Sequence, residues 1–425
     1  MVIRDMDNKN IKVVIGAGYG DEGKGLMTDY FCELVSKNPK NGAVLNVKVN
    51  GGAQAGHTVC KLDERGYKHH VFRQYGSGTF SGADTYLLDT FMVNVDELLK
   101  EKRFLEEIYN VTTKVYIDRR CKVTLPMDIL MNRLIEDKRA NRHGSCGLGI
   151  YETFNRNNKI EQITVKDIIS EYISITPNNF RSKMISRAEA FYKLRLEAIY
   201  ETEGIEITED EYKELINETD KMNSEFMRNL ALIGSDREII LVNSLDELLD
   251  KGGYNNIIFE CSQGLELDQF NKRNWPHLTP SNTGLLNVSK ELRHLQNDDI
   301  EVCFVSRSYK TKHGAGVFIE EDNEIQNQYG LYDRTNQPNQ YQGTLRYGKL
   351  NIGRMKKLMV DQLNYISNLE NIRIGLAITH LDQTNGLVLG CNNTLTIEET
   401  KQWFKELIHN YYLSFGEKSS DIIRN

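Results

Sequence analysis

Apolar positions come in short runs towards both ends of the chain and at helical spacing through its middle. Ile11 to Ile15 is a short, mostly apolar run, long enough for one buried strand. Leu26, Met27, Tyr30, Phe31, Leu34 and Val35 then recur three and four apart, which predicts a helix over Leu26 to Ser36. Ala43 to Val49 predicts a second strand, ending at a Gly51-Gly52 turn. Strand, glycine loop, helix, strand is the opening of a parallel α/β sheet. Further strands are expected at Asn256 to Glu260, Glu301 to Val305 and Ile372 to Thr379. Between these ends the pattern changes. Arg187 to Tyr200 and Glu209 to Leu232 carry apolar residues at helical spacing among Glu, Lys and Arg, with almost no Gly or Pro. This reads as a helical lobe inserted in the sheet domain.

Composition narrows the class. Hydrophobic residues make up 40% and charged residues 27% of 425 residues, which excludes collagen-like and disordered chains. The length suits one large α/β core with an inserted lobe. The net charge of −7 argues against a nucleic-acid coat, and no nucleic-acid partner is expected. No apolar run approaches the ~18 residues of a membrane helix, so no membrane partner is expected either. Met1 to Asn10 is polar and lacks a signal-peptide core. Seven scattered cysteines without a CxxC pair read as reduced thiols, hence a cytoplasmic setting. Tyr116, Tyr192 and Tyr212 read as packing or surface residues, and His69-His70 as a strand end or polar turn.

The chemistry concentrates in two glycine loops. Gly18-Tyr19-Gly20-Asp21-Glu22-Gly23-Lys24-Gly25 follows a predicted strand and opens a helix. It fits the first seven positions of GxxxxGK, with Gly25 where a nucleotide hydrolase has Ser or Thr. Glycines let backbone amides face phosphate oxygens, and the helix N-terminus adds positive charge. Lys24 is the point charge for outer phosphates. A carboxylate beside a triphosphate is repulsive unless a cation lies between, so Asp21 implies magnesium or proton transfer. The second loop runs from Asn50 to Val59 and places His57 beyond three glycines, where a ligand approaches the backbone closely.

Together the loops resemble adenylosuccinate synthetases, whose signatures are GDEGKG and GGxNAGHT. This chain has Gly20-Asp21-Glu22-Gly23-Lys24-Gly25 and Gly51-Gly52-Ala53-Gln54-Ala55-Gly56-His57-Thr58. In the same order, Leu125-Pro126-Met127 resembles a family Leu-Pro segment, and Gly144-Ser145-Cys146-Gly147-Leu148-Gly149-Ile150 resembles GTTGRGI. Glu260-Cys261-Ser262-Gln263-Gly264 is similar to EGAQG, and Thr279-Pro280-Ser281-Asn282-Thr283 to TSSNT. Gly314-Ala315-Gly316, Thr379-His380-Leu381-Asp382 and Ser414-Phe415-Gly416 resemble TRVGAG, TKLD and STG.

The resemblance implies a large mixed, mostly parallel sheet flanked by helices, with a P-loop-like nucleotide site and an inserted helical lobe. Residues 1–160 would form the nucleotide- and acceptor-binding half, 161–250 the lobe, and 251–425 the half with the aspartate loop and base-reading segments. It implies a ligase that joins L-aspartate to C6 of a purine nucleoside monophosphate, driven by a nucleoside triphosphate, with Mg2+ and as a homodimer. Asp21 would take the N1 proton and contact Mg2+ together with the Gly56 carbonyl. His57 would act as general acid and Gln263 would bond near the 6-oxygen. Gly20, Glu22, Gly23, Lys24, Gly25, Gly56, Thr58, His380, Asp382, Ser414 and Gly416 fall at the donor site. Asn50, Gln54, Ser145, Cys146, Arg156, Thr279, Thr344 and Arg346 fall at the acceptor and aspartate sites.

The departures bear on the substrate. The family's GRRRRTG loop corresponds to Gly343-Thr344-Leu345-Arg346-Tyr347-Gly348, with one arginine left. Leu148 stands for the arginine of GTTGRG and His380 for the lysine beside the base-reading Asp382. Arg156 is a loose counterpart of an arginine lent by the other subunit. These changes resemble a branch from phages with 2-aminoadenine DNA, which joins aspartate to dGMP using ATP or dATP. The acceptor, dGMP or IMP, and the donor, ATP, dATP or GTP, stay open, with a lean to dGMP. A P-loop switch without ligase activity is a third reading, against which Gly25 argues.

Overall fold

A computed structural model describes residues 9–37, 42–64, 66–140, 144–296, 298–336 and 343–425. Its centre is a ten-stranded sheet. In chain order the strands are β1 (Asn10–Gly16), β2 (Ala43–Lys48), β3 (Asp84–Leu87), β4 (Val115–Asp118), β5 (Ile239–Val242), β6 (Tyr254–Gly264), β7 (Asp299–Arg307), β8 (Arg373–Thr379), β9 (Asn410–Ser414) and β10 (Ile422–Arg424). Across the sheet they run β10-β9-β8-β7-β1-β6-β2-β3-β4-β5. Only the β9–β10 pair is antiparallel.

Parallel strands are covered on both faces, which is why β1 reads as an almost unbroken apolar run. Its alternate residues face opposite sides. Val14 packs under helix α1 (Lys24–Ser36) with Leu26, Met27 and Phe31, while Val13 and Ile15 join Leu45, Val47, Phe259 and Phe304 on the other face. The chain leaves β1 towards β2, then returns to insert β6 beside β1 and builds β7 to β9 on the far side. This reversal makes β1 the switch point, and open α/β sheets bind ligands outside the carboxyl ends of the strands there.

The lobe consists of helices α3 (Pro126–Lys138), α4 (Ile150–Lys159), α5 (Val165–Ser174), α6 (Pro177–Glu203) and α7 (Glu209–Ser235), after α2 (Val95–Tyr109). Thr176 caps α6 ahead of Pro177, and Thr208 with Glu211 forms a capping box on α7. Phe180, Phe191 and Ile199 of α6 bury against Leu215, Phe226 and Leu230 of α7. Tyr192 is a packing residue whose hydroxyl lies 2.7 Å from Thr219 Oγ1. The expected limits of 161–250 need correction. The helical run closes at Ser235, and Ile239–Val242 is the edge strand of the main sheet.

A hairpin of His57–Asp63 and Gly66–Phe72 stands beside α1. It holds His69 and His70, with His70 Nε2 3.1 Å from Glu101. The seven cysteines are free thiols. Among the described residues no helix is long and apolar enough to cross a membrane.

Candidate active site

Loops at the carboxyl ends of β1, β2, β6, β7, β8 and β9 carry most of the expected site residues, and the loop before α4 with α4 itself carries Ser145, Cys146 and Arg156. The loop after β1 is shaped from within by Glu22. Its Oε1 accepts the amides of Gly18 at 3.0 Å and Gly20 at 2.7 Å, and its Oε2 accepts the Lys24 ammonium at 2.6 Å. The buried Glu22 carboxylate thus orders the loop and Lys24 from inside. The loop after β6 packs tightly on it. A Cβ on Gly264 would lie 2.2 Å from the Gly18 carbonyl oxygen, so only glycine fits.

Asp21 and Gln263 are non-glycine residues at left-handed φ, 60° and 65°. Such strain persists where the surroundings over-determine the backbone, commonly at functional sites. Arg307 at the end of β7 supplies part of that restraint, donating from Nε to the Asp21 carbonyl at 2.5 Å and from Nη2 to Asp333 at 2.5 Å. His313 Nε2 lies 3.5 Å from Asp21 Oδ2. Gln263 follows directly, its Cα 3.9 Å from where a Gly20 Cβ would stand.

His57 packs against the first turn of α1, where a Cβ on Gly25 would meet its Cβ at 3.0 Å and the Thr58 carbonyl at 2.8 Å. Its Nδ1 is hydrogen-bonded to Glu260, which also takes the Ser77 hydroxyl and, at 3.1 Å, the Ser77 amide. Burial pushes the His57 imidazole down to about 4, aided by Lys48 and Lys24 and opposed by Glu260. Although burial favours its neutral acid, Lys48 and His57 hold the Glu260 carboxyl below the usual range. The resting pair is thus a neutral imidazole beside a carboxylate. The native imidazole stays neutral down to about 4, whereas the unfolded one takes a proton below about 6.5. The His57 contribution to stability is therefore complete above that window and is lost as pH falls through it. A plot of Tm against pH between 6.5 and 4 is expected to be shallower in His57→Asn than in wild type; equal slopes would contradict the assignment.

The loop after β2 is clamped to β6 by Asn50, which accepts the Ser262 amide at 2.8 Å and donates to the Ser262 carbonyl at 3.2 Å. Asn50 is fully buried, so its expected acceptor contact is corrected to a structural one. The Gln54 amide, by contrast, has neither nitrogen nor oxygen partnered. At β8, Thr379 Oγ1 donates to the Glu22 carbonyl at 2.7 Å, tying this strand end to the first loop. His380 rests edge-on to Tyr309, and burial together with Arg307 pushes its imidazole well below its ordinary pKa. Asp382 is exposed beside it. The Leu381 amide reaches the Ser414 carbonyl at 3.1 Å, and Ser414 Oγ donates to the Gly416 carbonyl at 2.8 Å, so these two turns form one surface.

The family model for adenylosuccinate synthetase matches residues 13–393. The chain belongs to the adenylosuccinate synthetase family. It is thus a C–N bond-forming ligase. A curated relative, the adenylosuccinate synthetase of Brevibacillus brevis, is 27% identical over 405 residues, covering 94% of this chain and 82% of the relative. Among solved structures, fully ligated adenylosuccinate synthetase from Plasmodium falciparum superposes with a TM-score of 0.64 at 17% identity, covering 98% of this chain and 100% of that one. Cyanophage S-2L succinoaminodeoxyadenylate synthetase, bound to dGMP and to dATP as an energy donor, superposes at 0.61 and 14% identity, covering 98% and 95%. These two likenesses show a common fold.

Placed on the adenylosuccinate synthetase fold, two expected arginines change meaning. Arg156 is fully buried, with Nε and Nη2 each 2.8 Å from the Asp128 carboxylate and Nη2 also 2.8 Å from the Val123 carbonyl. It braces α4 on α3 from inside, so it is corrected from a residue offered across a subunit boundary to a core ion pair. Arg346 lies opposite Lys312 in a short antiparallel ladder. Its guanidinium is held by Glu321 at 2.9 and 2.5 Å and by the Gly316 carbonyl at 2.8 Å, and Thr344 beside it is exposed. Ser145 Oγ accepts the Gly147 amide at 3.3 Å in the loop before α4, next to the half-buried Cys146. The Thr279 amide bonds to the Leu267 carbonyl at 3.0 Å, and Ser281 nearby receives Asn50 Nδ2 at 3.4 Å. Sequence reasoning assigned no role to Glu260, Arg307, His313, Arg73 or Lys312. The one available signal was charge within or at the end of a buried strand, as at Glu260 and Arg307.

Proposed function

We propose that this ligase joins L-aspartate to C6 of dGMP, with ATP or dATP as phosphoryl donor. The observation that carries the choice of acceptor is the thinned basic lining. Leu148 replaces an arginine, and the remaining arginine of the aspartate loop, Arg346, is bound to Glu321. A deoxynucleotide has no 2′-hydroxyl for such arginines to read. IMP with GTP is the second reading, supported by retention of Asp21 and Asp382.

In this scheme Asp21 takes the N1 proton, and electron density moves onto the 6-oxygen. That oxygen attacks the γ-phosphorus and the nucleoside diphosphate leaves. The aspartate amine then attacks C6, the amine proton is released, and phosphate departs carrying the 6-oxygen. Gln263 hydrogen-bonds near that oxygen. His57, with Glu260 behind its Nδ1, is drawn towards the protonated form when the anionic nucleotide arrives, and so can donate to the reacting oxygen. Lys24 and the amides at the start of α1 face the donor phosphates.

The family requirement for Mg2+ fits the oxygen donors available here, the partly exposed Asp21 carboxylate and the Gly56 carbonyl. Among the described residues no three metal-ligating side chains cluster, which suits an ion held mainly by nucleotide and water. When bound, Mg2+ neutralises charge between carboxylate and phosphates.

Phosphate release is to be measured with aspartate and Mg2+ over dGMP and IMP against ATP, dATP and GTP. The proposal expects the highest kcat/KM with dGMP and an adenine donor. Preference for IMP and GTP would overturn the acceptor assignment and leave the ligase class intact.

A further inference from the structure

Two arginines outside the family signatures stand out by their lack of a counter-ion. Among the described residues, every other arginine that is buried or half-buried carries a carboxylate partner. Arg73 and Arg133 are half-buried and, among the described residues, have no carboxylate within 4.0 Å. Removing a guanidinium from water without a counter-ion is costly, and an arriving anion would relieve that cost by charge-assisted hydrogen bonds.

Each arginine bonds to one of two neighbouring loops. Arg73 Nη1 donates to the Ala53 carbonyl at 2.7 Å, and its Cζ is 3.7 Å from where a Gly56 Cβ would stand. Its segment is fixed by Glu101, which accepts the amides of Arg73 at 3.0 Å and Gln74 at 2.6 Å. Arg133, on α3, donates from Nε to the Gly147 carbonyl at 3.0 Å. The two loops touch, since a Cβ on Gly52 would lie 2.7 Å from Ile150 Cδ1 in the first turn of α4. The first loop carries the unpartnered Gln54 amide, and the second opens α4, whose cap residue Gly149 offers no side-chain acceptor. The Cys146 thiol, raised by burial, feels both guanidiniums pulling it down, consistent with their sharing one neighbourhood.

We propose that Arg73 and Arg133, with Gln54, bind the 5′-phosphate of the acceptor nucleotide from within one subunit. The inference rests on the ligase reading and deepens it. It supplies a source of positive charge where Leu148 has replaced one arginine and Arg156 is committed to the core. Each guanidinium keeps nitrogens free for a phosphate oxygen, and the bonds already made to loop carbonyls hold both in position.

The test is calorimetric titration of wild type, Arg73→Gln, Arg133→Gln and the double variant with dGMP, IMP, deoxyguanosine and ATP. A charge-assisted hydrogen bond contributes enough that each substitution is expected to weaken monophosphate binding by about 10-fold or more. Affinity for deoxyguanosine and ATP stays near wild type, acceptor KM rises more than kcat falls, and Arg73→Lys recovers part of the loss. Monophosphate affinity within about twofold of wild type in a folded double variant, or an equal loss for deoxyguanosine, would overturn the inference. Wild-type turnover with unchanged variants refutes this inference alone. Phosphate-dependent binding without any ligase turnover refutes the reaction while leaving the anion site standing.

Discussion

Asp21→Asn is expected to abolish turnover, by about 10²–10⁴-fold or more, while donor binding changes little. The substitution keeps the size and the hydrogen-bonding shape of the side chain and removes the base. The left-handed backbone at this position tolerates Asn well, so the loop keeps its form. The groups proposed to face the donor phosphates, Lys24 and the amides at the start of α1, do not bond to the Asp21 side chain, and Lys24 is held by Glu22. His57→Asn is expected to show a loss of similar order for a different reason. It removes the donor that Glu260 orients, and leaves donor binding intact. Steady-state kinetics beside nucleotide titration separate the two effects. Full activity in both variants would refute the proposed chemistry.

Arg156→Ala is expected to cost about 3–5 kcal/mol of stability, because it leaves Asp128 as an uncompensated buried charge. Asp128 also caps the start of α3 through the Leu125 amide at 2.9 Å and accepts from Thr153 at 3.1 Å, so the loss spreads through the α3–α4 junction. Urea unfolding reads this directly. Acceptor affinity per folded molecule stays unchanged. Loss of acceptor affinity at wild-type stability would restore Arg156 as a ligand and refute its placement in the core.

The sequence was most informative where one residue type has one physical use. Buried parallel strands read as apolar runs, and so β1, β2, β6, β7 and β8 were expected close to where they lie. Strands β3 and β4 are only four residues each and carry Asp, Thr and Tyr, so they have too little pattern to register. Strand β5 is a four-residue apolar run, and it is hidden because it follows closely on a long helical stretch and is too short to stand apart from it. In the site, glycine spacing announced the loops, since close backbone approach admits little else.

What spacing could not convey is which distant side chain fills which one. His57 and Glu260 are 203 residues apart, and Arg307 and the Asp21 carbonyl 286. Both contacts exist only because β6 and β7 return to flank β1. The arginines show the same limit from the other side. Arg156 was expected as a loose counterpart of a ligand from the other subunit and Arg346 by its place in a motif, whereas the structure shows Arg156 bound to Asp128 in the core and Arg346 paired with Glu321. Arg73 and Arg133 lie in no signature, yet among the described residues they are the half-buried guanidiniums without a carboxylate partner.

The most direct test of the central claim follows the acceptor's own 6-oxygen. Acceptor monophosphate labelled with ¹⁸O at C6 is incubated with donor triphosphate, aspartate and Mg2+, and the released phosphate is examined by mass spectrometry. Phosphorylation at the 6-oxygen followed by displacement with aspartate predicts that the label leaves in the phosphate, only when aspartate is present, with one aspartyl purine formed per labelled phosphate. Phosphate released without label and independently of aspartate would mean hydrolysis by water at a nucleotide-binding loop, and would contradict the ligase mechanism.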